Sequence, residues 1–347
     1  MDLSFYFKQA IERGASDLHL VAGSFPALRI SGDLEKISDE LIDNDELEAA
    51  LKTTIDSRIW NEFQEKKVFD FAEEFFDFRF RINLHFQEGK VALTARLIPS
   101  VIPSPSDLRF DENIYKLTHL RDGLILVTGT SGSGKSTTLS TMIDIINQER
   151  RSHIITIEDP VEYLFSEKQS IIEQRELGRD THSFASALKY ALRQDPNIIM
   201  VGEMRDPETI AAALTAAETG HLVLSTLHTM SASDTINRIV DAFQAHEQQQ
   251  VLNQLASSLR AVIAQQLLPR VDGARVAARE IMVSNNAISS LIRSNKINQI
   301  KTVIQTSQED GMISMNKSIQ QLFQEGLISE TVFTNRIKNE DSNNSYY

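Results

Sequence analysis

The sequence predicts an α/β protein whose larger domain contains a mostly parallel β-sheet. Beyond about residue 113, short and uniformly apolar segments alternate with helical stretches, and a glycine-rich loop follows the first of these segments. The N-terminal third instead contains one long segment in which apolar and polar residues alternate strictly. Uniformly apolar strands are typical of a parallel sheet covered on both faces, whereas strict alternation indicates a sheet with one open face.

The N-terminal part is predicted to be a smaller α+β domain over residues 1–98. Asp2 is a favourable cap for a first helix that ends near Gly14, and apolar residues at helical spacing predict another helix between Asp45 and Lys66. The alternating strand follows, and a turn at residues 88–89 joins it to a return strand at 91–97. The apolar members of the alternating strand are Phe76, Phe78, Phe80, Ile82, Leu84 and Phe86.

A proline- and serine-rich stretch divides the chain, and it predicts a linker over residues 99–112. The larger α/β domain is expected at 113–270, a mainly helical C-terminal region at 271–337 and a disordered polar tail at 338–347. One helix of the larger domain has clear end signals, with Asp206 as its cap, Pro207 at its first position and Gly220 just past its end. A second amphipathic helix is predicted from about Glu247 to Leu268.

Composition restricts the class of protein. With 41% hydrophobic and 24% charged residues, the 347-residue chain matches an ordinary globular protein, and its net charge of −13 argues against a dedicated nucleic-acid binder. Cysteine is absent, which excludes disulfides and thiolate metal sites. Without a signal-peptide pattern or an apolar run of membrane-spanning length, we expect a cytoplasmic protein with no direct membrane insertion, which reaches a membrane only through partners.

The glycine-rich loop has the pattern of a phosphate-binding loop. Residues 129–136 read Gly-Thr-Ser-Gly-Ser-Gly-Lys-Ser, between a buried strand and a helix, which is the context that the motif requires. Backbone N–H groups of such a loop and the helix N-terminus bind phosphate oxygens. Lys135 is expected to reach the β- and γ-phosphates of ATP, and Ser136 to ligate Mg²⁺. The predicted nucleotide-binding residues here are Ser131, Gly132, Ser133, Gly134, Lys135, Ser136 and Thr137.

Acidic and histidine residues end three further buried strands. Residues 156–163 contain several carboxylates, and the strand at 198–201 ends in Gly-Glu, where Glu203 can hold Mg²⁺ through water. Each stretch alone is compatible with a solvated strand end, but their occurrence together after a phosphate loop favours a site. His228 follows the strand at 222–224 on the side expected to face the phosphates, so we rank it above His221 as a nucleotide sensor.

Together these motifs resemble those of the secretion and type IV pilus ATPase superfamily, and most closely its pilus retraction motors, the twitching-motility ATPases. The resemblance covers the loop at 129–136, Glu-Asp-Pro-Val-Glu at 158–162, Gly-Glu-Met-Arg-Asp at 202–206 and the histidine segment at 220–228. In the N-terminal domain it covers Ala-Ser-Asp-Leu-His-Leu at 15–20 and Arg-Phe-Arg-Ile-Asn at 79–83.

The resemblance implies a RecA-like core, a PAS-like N-terminal domain and a hexameric ring. It also implies that Glu162 acts as general base or orients the attacking water, that Glu203 acts on Mg²⁺ through water, and that His228, with His221 less favoured, senses the γ-phosphate. The implied partners are an inner-membrane pilus platform protein, which places the motor at the inner face of the membrane, and a paralogous second motor ATPase.

Alternative functions remain open at this stage. They are an assembly or secretion motor of the same superfamily, a non-hydrolysing accessory ring subunit and a RecA-like nucleic-acid translocase. Assembly motors usually have a longer N-terminal region and a four-cysteine zinc element, and neither is present. One motif differs from that of retraction motors: residues 287–294 read Ala-Ile-Ser-Ser-Leu-Ile-Arg-Ser, which keeps the apolar spacing of a packed helix and changes its polar positions.

The alternating hairpin predicts a pair of arginines. If Phe86 pairs with Val91, then Arg81 lies opposite Arg96 on the open face of the sheet, where like charges repel unless an anion lies between them. A solvated basic patch is the alternative. We hypothesise that Arg81 and Arg96 contact the γ-phosphate of a nucleotide bound by a neighbouring subunit, because the arginine fork binds phosphate with two parallel hydrogen bonds.

Overall fold

The computed structural model describes residues 1–30, 32–98 and 101–343, with the backbone alone over 338–343. The chain divides into two compact units, one formed by Met1–Val101 together with Pro160–Leu164 and the other by Ile102–Asp159 together with Phe165–Tyr347. The N-terminal unit is therefore discontinuous in sequence. No helix within the described ranges is both long enough and apolar enough to cross a membrane.

The N-terminal unit is an antiparallel sheet with helices on one face. Its six strands lie in the order β3-β2-β1-β6-β5-β4. The helices pack against the face that carries Leu18, Ile82 and Leu93, all at most 1% exposed. Its elements are α1 (Leu3–Glu12), β1 (Asp17–Val21), β2 (Ala27–Ile30), β3 (Asp33–Lys36), α2 (Asn44–Thr54), α3 (Ser57–Lys66), β4 (Val68–Phe75), β5 (Phe78–Gln87) and β6 (Lys90–Leu97).

Two predictions for this unit were wrong in detail. The single helix expected between Asp45 and Lys66 is two helices, because Asp56 accepts a hydrogen bond from the backbone N–H of Arg58 and caps α3. The alternating strand begins at Phe78 rather than Phe76, since Phe76 and the next residue have positive φ and form the turn after β4. Strand β4 itself was missed.

The second unit is built on a seven-stranded sheet. The strand order is β13-β12-β7-β11-β10-β8-β9, and all neighbouring pairs are parallel except β12 with β13. The prediction of a mostly parallel sheet is confirmed. Its strands are β7 (Gly123–Thr128), β8 (His153–Glu158), β9 (Ile171–Glu176), β10 (Ile198–Val201), β11 (Leu222–Leu227), β12 (Leu259–Pro269) and β13 (Arg275–Val283).

Helices cover both faces of this sheet, and their apolar residues form two separate clusters with the strands. Asp206 accepts a hydrogen bond from the backbone N–H of Thr209 and caps a helix with Pro207 at its first position, as predicted. The helices are α4 (Glu112–Thr118), α5 (Lys135–Glu149), α6 (Phe184–Ala191), α7 (Pro207–Glu218), α8 (Ala232–Asp241), α9 (Gln248–Ser258), α10 (Asn286–Arg293), α11 (Ile300–Thr306), α12 (Met315–Gln324) and α13 (Glu330–Asn343).

The helix predicted from Glu247 to Leu268 was wrong in its second half. It ends with α9 at Ser258, and the chain continues as β12, an inner strand between β7 and β13. A buried strand and a buried helix both have a continuous apolar run, so periodicity alone does not separate them. In the structure this run forms a strand, whose apolar residues are mainly Leu and Ala and which is buried on both faces.

The linker and the tail also differ from the expectation. From Ile102 onward the linker belongs to the second unit, where the hydroxyl of Thr141 donates to the carbonyl of Pro103 at 2.9 Å. Pro99 and Ser100, which are part of the expected linker, lie outside the described residues. The tail predicted to be disordered is helical as far as Asn343, and residues 344–347 lie outside the description.

His19 provides a pH-dependent test of the N-terminal unit. Burial lowers the pKa of its imidazole below the usual 6.5, Asp17 opposes this shift, and the cations Arg29 and Arg96 reinforce it. Its Nε2 atom is buried without a hydrogen-bond partner among the described residues. Because the folded protein resists protonation of this ring, the unfolded state takes up the proton first, and stability decreases as the pH falls through about 6.5.

We therefore expect the free energy of unfolding to fall less in His19→Asn than in wild type when the pH is lowered from about 8 to about 6. The measurement is the urea unfolding midpoint of both proteins at the two pH values. The other histidines are common to both proteins, so their contributions cancel in the difference. An equal loss in the two proteins would contradict this explanation.

Candidate nucleotide-binding site

The phosphate loop connects β7 to α5 in the second unit. Gly129, Gly132 and Gly134 have φ values of 144°, 75° and 86°, which only glycine adopts without strain. The Nζ of Lys135 donates to the carbonyls of Gly129 and Thr130 at 2.9 and 3.0 Å, so the lysine side chain curls over the loop. No side chain caps the N-terminus of α5, which leaves backbone N–H groups of its first turn available to phosphate oxygens.

The predicted loop residues have different degrees of burial. Ser131 and Gly132 are exposed at the tip of the loop, whereas Ser133 is 3% exposed. Ser136 and Thr137 are half-buried in the first turn of α5, the position from which a P-loop hydroxyl reaches Mg²⁺. The backbone arrangement and the position of the hydroxyls therefore suit a bound nucleoside polyphosphate.

Glu203 lies beside the end of β10, which pairs with β8 and β11. The backbone N–H of Gly202 donates to the carbonyl of Ile157 at 2.8 Å, so Gly202 is still anchored to β8 and Glu203 follows directly after this anchor. One carboxylate oxygen of Glu203 forms an ion pair with Arg205, 2.7 Å from its Nε, and the other lies 3.6 Å from Nε2 of His228. The structure thus brings Glu203 and His228 together, as a shared site requires.

The two histidines of the histidine segment lie at opposite ends of β11. Leu227 pairs with Thr128, the residue that precedes the phosphate loop, so His228 lies on the loop side of the sheet. His221 precedes the strand, and its Nδ1 lies 3.0 Å from the carbonyl of Ala216. At about 3.3 Å per residue, the strand separates the two histidines by roughly 20 Å. The structure therefore does not bring His221 to the phosphate loop of its own chain.

Glu162 lies in the N-terminal unit, on the segment Pro160–Leu164. The neighbouring carbonyl of Val161 accepts a hydrogen bond from Nε of Arg79 at 3.3 Å. The residues predicted for hydrolysis are therefore divided between units: Glu162 and the two arginines Arg81 and Arg96 are in the first, and the phosphate loop, Glu203 and His228 are in the second.

The predicted register of the arginine hairpin is confirmed. Phe86 pairs with Val91, and Arg81 lies opposite Arg96. Sequence reasoning missed the anion in this arrangement: Asp17, which lies opposite Arg96 on β1, accepts from its Nε at 2.9 Å. Arg81 makes no ion pair with any residue in the described ranges, and Arg96 keeps 67% of its side chain exposed.

Comparison with known proteins identifies the family. The family model described as type II/IV secretion system protein matches residues 105–335. The chain belongs to this family. Over 335 residues it is 43% identical to the type IV pilus retraction ATPase PilT of Pseudomonas aeruginosa, covering 95% of this chain and 96% of the relative. It is 45% identical to the twitching motility protein of Neisseria gonorrhoeae, covering 93% and 87%.

A solved structure agrees with this membership. The crystal structure of the pilus retraction motor PilT with bound ADP superposes with a TM-score of 0.90 at 45% identity, and the match covers 96% of each chain. The predicted superfamily and the predicted α/β fold are thus confirmed.

Proposed function

We propose that this chain is a ring-forming ATPase that couples ATP hydrolysis to retraction of a type IV pilus, the disassembly that drives twitching motility. The observation that carries the proposal is the similarity to a pilus retraction ATPase along 95% of the chain, since it includes both compact units. The match to a retraction motor with bound ADP supports nucleotide binding at the loop of residues 129–136.

The chemistry of the site is phosphoryl transfer to water. Such a reaction requires positioning of the reactants and stabilisation of charge on the transferred group, with little covalent chemistry from the protein. The Nζ of Lys135 donates to two carbonyls of the loop in the structure. In this proposal it donates to oxygens of the β- and γ-phosphates instead when ATP binds. Glu162 orients the attacking water, and His228 reports the state of the γ-phosphate to Glu203, its neighbour.

Mg²⁺ fits the residues that surround the loop. Ser136 offers a hydroxyl and Glu203 a carboxylate, and Mg²⁺ in nucleotide sites is held by one or two such groups together with phosphate oxygens and waters. Among the described residues no cluster of three His, Cys, Asp or Glu side chains forms a cage for a metal. In this proposal Ser136 would hold the ion directly and Glu203 would hold it through water, and the bound ion would supply positive charge beside the phosphates.

The arginines of the N-terminal unit are proposed to act in trans. Arg81, which has no ion pair in the described part of the chain, is the better placed of the two for a phosphate. Arg96 donates its Nε to Asp17, and its other nitrogens remain free for a second anion on the exposed face. Sites that are each completed by a neighbour imply a head-to-tail arrangement of subunits, which forms a ring when the rotation closes, and we propose a homo-hexamer.

The partners of the ring follow from the same proposal. A retraction motor has to transmit force to an inner-membrane platform protein, so we place this chain in the cytoplasm at the inner face of that membrane. A paralogous second motor ATPase is a further proposed partner. Nucleic acid is not among the proposed partners because the net charge of −13 opposes binding to phosphate backbones.

The test is steady-state ATP hydrolysis by the purified protein, with the oligomeric mass measured on the same sample. We expect turnover from a particle of six subunits and no turnover from Lys135→Ala, whose phosphate loop lacks its cation. A ring that binds ATP and never hydrolyses it would instead assign the chain to the accessory class. Hydrolysis that depends on added DNA would favour a nucleic-acid translocase.

A further inference from the structure

A buried polar network lies directly beneath the phosphate loop. Gln265 is on β12, whose residue Ala264 pairs with Thr128 at the end of β7, so the glutamine lies beside the start of the loop. It is only 2% exposed. Its amide nitrogen donates to the carbonyl of Ser133 at 2.6 Å, and its amide oxygen accepts from the hydroxyl of Thr138 at 2.9 Å. These two bonds, to a buried amide, hold the side chain of Gln265 between the loop and the first turns of α5.

Arg279 determines which way the amide of Gln265 faces. The two residues lie opposite each other on β12 and β13, and Nε of Arg279 donates to the amide oxygen at 2.9 Å. Arginine has only donors, and the carbonyl of Ser133 can only accept. The amide oxygen must therefore face Arg279, and the amide nitrogen must face the loop.

Arg279 is itself held firmly. Only 6% of it is exposed, its Nη1 donates to the carbonyl of Leu108 at 2.9 Å, and its guanidinium lies over the ring of Phe110 at 5.3 Å. Burial lowers its pKa to about 10, so the side chain is still a cation at neutral pH. A buried cation held by hydrogen bonds and an aromatic ring is costly to remove or to reorient.

The geometry of the peptide bond connects this network to phosphate binding. In a trans peptide the C=O of one residue and the N–H of the next point in opposite directions. Anchoring the carbonyl of Ser133 towards Gln265 therefore turns the N–H of Gly134 away from Gln265 and into the loop, where a phosphate oxygen binds. Gly134 also needs its small size here, because a Cβ at that position would lie 2.9 Å from the amide nitrogen of Gln265.

We propose that Gln265 and Arg279 are positioning residues for nucleotide binding, which fix the direction of the Ser133–Gly134 peptide in the phosphate loop. Neither residue needs to touch the nucleotide. This inference rests on the proposed nucleotide-binding function of the loop and assigns to it two residues of the strands on its far side. It also explains two polar residues on strands that are otherwise mostly apolar.

The deciding variant is Gln265→Glu. A carboxylate still accepts from Arg279 and Thr138, and the charged pair with Arg279 preserves the packing of the two strands. It has no N–H for the carbonyl of Ser133, so two acceptors face each other and the peptide loses its anchor. We expect the dissociation constant for ADP to rise about tenfold or more, while the melting temperature without nucleotide stays within a few degrees of wild type.

Two further variants and one control complete the experiment. Arg279→Met removes the group that orients the amide and is expected to weaken ADP binding, whereas Arg279→Lys, which keeps a donor and a cation, is expected to restore part of it. Gln250→Glu makes the same chemical change at an exposed position on α9 and is expected to bind ADP as wild type does. If Gln265→Glu does not fold, Gln265→Met provides the comparison with a neutral side chain of similar volume.

The possible results distinguish the positioning role of Gln265 and Arg279 from the proposed nucleotide-binding function of the loop. Wild-type affinity for ADP in a folded Gln265→Glu protein would overturn the positioning role. Loss of binding that only follows the folded fraction, equal in Arg279→Met and Arg279→Lys, would also overturn it, because it would indicate a structural role alone. Absence of ADP binding by the wild-type protein would instead refute the proposed nucleotide-binding function.

Discussion

Replacing Glu203 with glutamine is expected to reduce ATP turnover by about 100-fold or more, because removing one group that stabilises charge in the transition state typically costs that much. Glutamine keeps the shape of the side chain at the end of β10 and removes the negative charge that lies 3.6 Å from Nε2 of His228 and that we propose to act on Mg²⁺. ATP itself should still bind, since the phosphate loop is unchanged. The measurements are phosphate release at steady state and binding of a fluorescent ATP analogue.

The control for this variant is Glu208→Gln. Glu208 is exposed in the first turn of α7, five positions further along the chain, so the same chemical change there should leave turnover as it is. Turnover of Glu203→Gln at the wild-type rate would exclude a catalytic role for this carboxylate. Loss of turnover together with loss of ATP binding would indicate damage to the loop instead.

The double variant Arg81→Ala/Arg96→Ala is expected to lose turnover by a similar or larger factor, because an arginine supplied in trans contributes about 10³–10⁵ to the rate in related phosphoryl-transfer enzymes. Its own phosphate loop is intact, so binding of ATP should persist. Arg58→Ala is the matched control, since Arg58 lies on α3 of the same unit and its side chain is 88% exposed. Survival of turnover in the double variant would refute the proposed role.

Mixed rings provide the sharper form of this test. Subunits with both arginines replaced keep a working phosphate loop, and Lys135→Ala subunits keep both arginines. If the arginines act on a neighbour, a 1:1 mixture should form complete sites at about a quarter of the interfaces of a head-to-tail ring and recover part of the wild-type turnover. If they act within their own subunit, no complete site forms and the mixture should remain inactive.

The parts of the molecule predicted correctly from sequence are those governed by local patterns. Strict alternation along the hairpin, with an unambiguous turn at its tip, determined the register that places Arg81 opposite Arg96. The phosphate loop was predictable for a related reason, because strand, glycines, lysine and helix follow one another in the chain. When all parts of a motif are adjacent in the chain, the strand and helix that the motif requires can be recognised from the same stretch of sequence.

The features that sequence reasoning missed depend on contacts between distant positions. Asp17 neutralises Arg96 across 79 positions of the chain, and no local pattern indicates that β1 pairs with β6. Strand β12 was mistaken for a helix because its apolar run follows α9 directly and its parallel partner β7 lies far earlier in the sequence, which hides the reason for its burial. Once β12 was interpreted as a helix, the position of Gln265 under the loop could not be inferred.

The discontinuous N-terminal unit has a consequence for how the chain folds as it is synthesised. Residues 1–101 leave the ribosome early, yet the unit also includes Pro160–Leu164. At about 5–20 residues per second, the ribosome needs roughly 3–13 s more to reach Leu164. Over that interval the first unit lacks the segment that Arg79 binds at the carbonyl of Val161. The first part of the chain to emerge is therefore completed only after the phosphate loop has been translated.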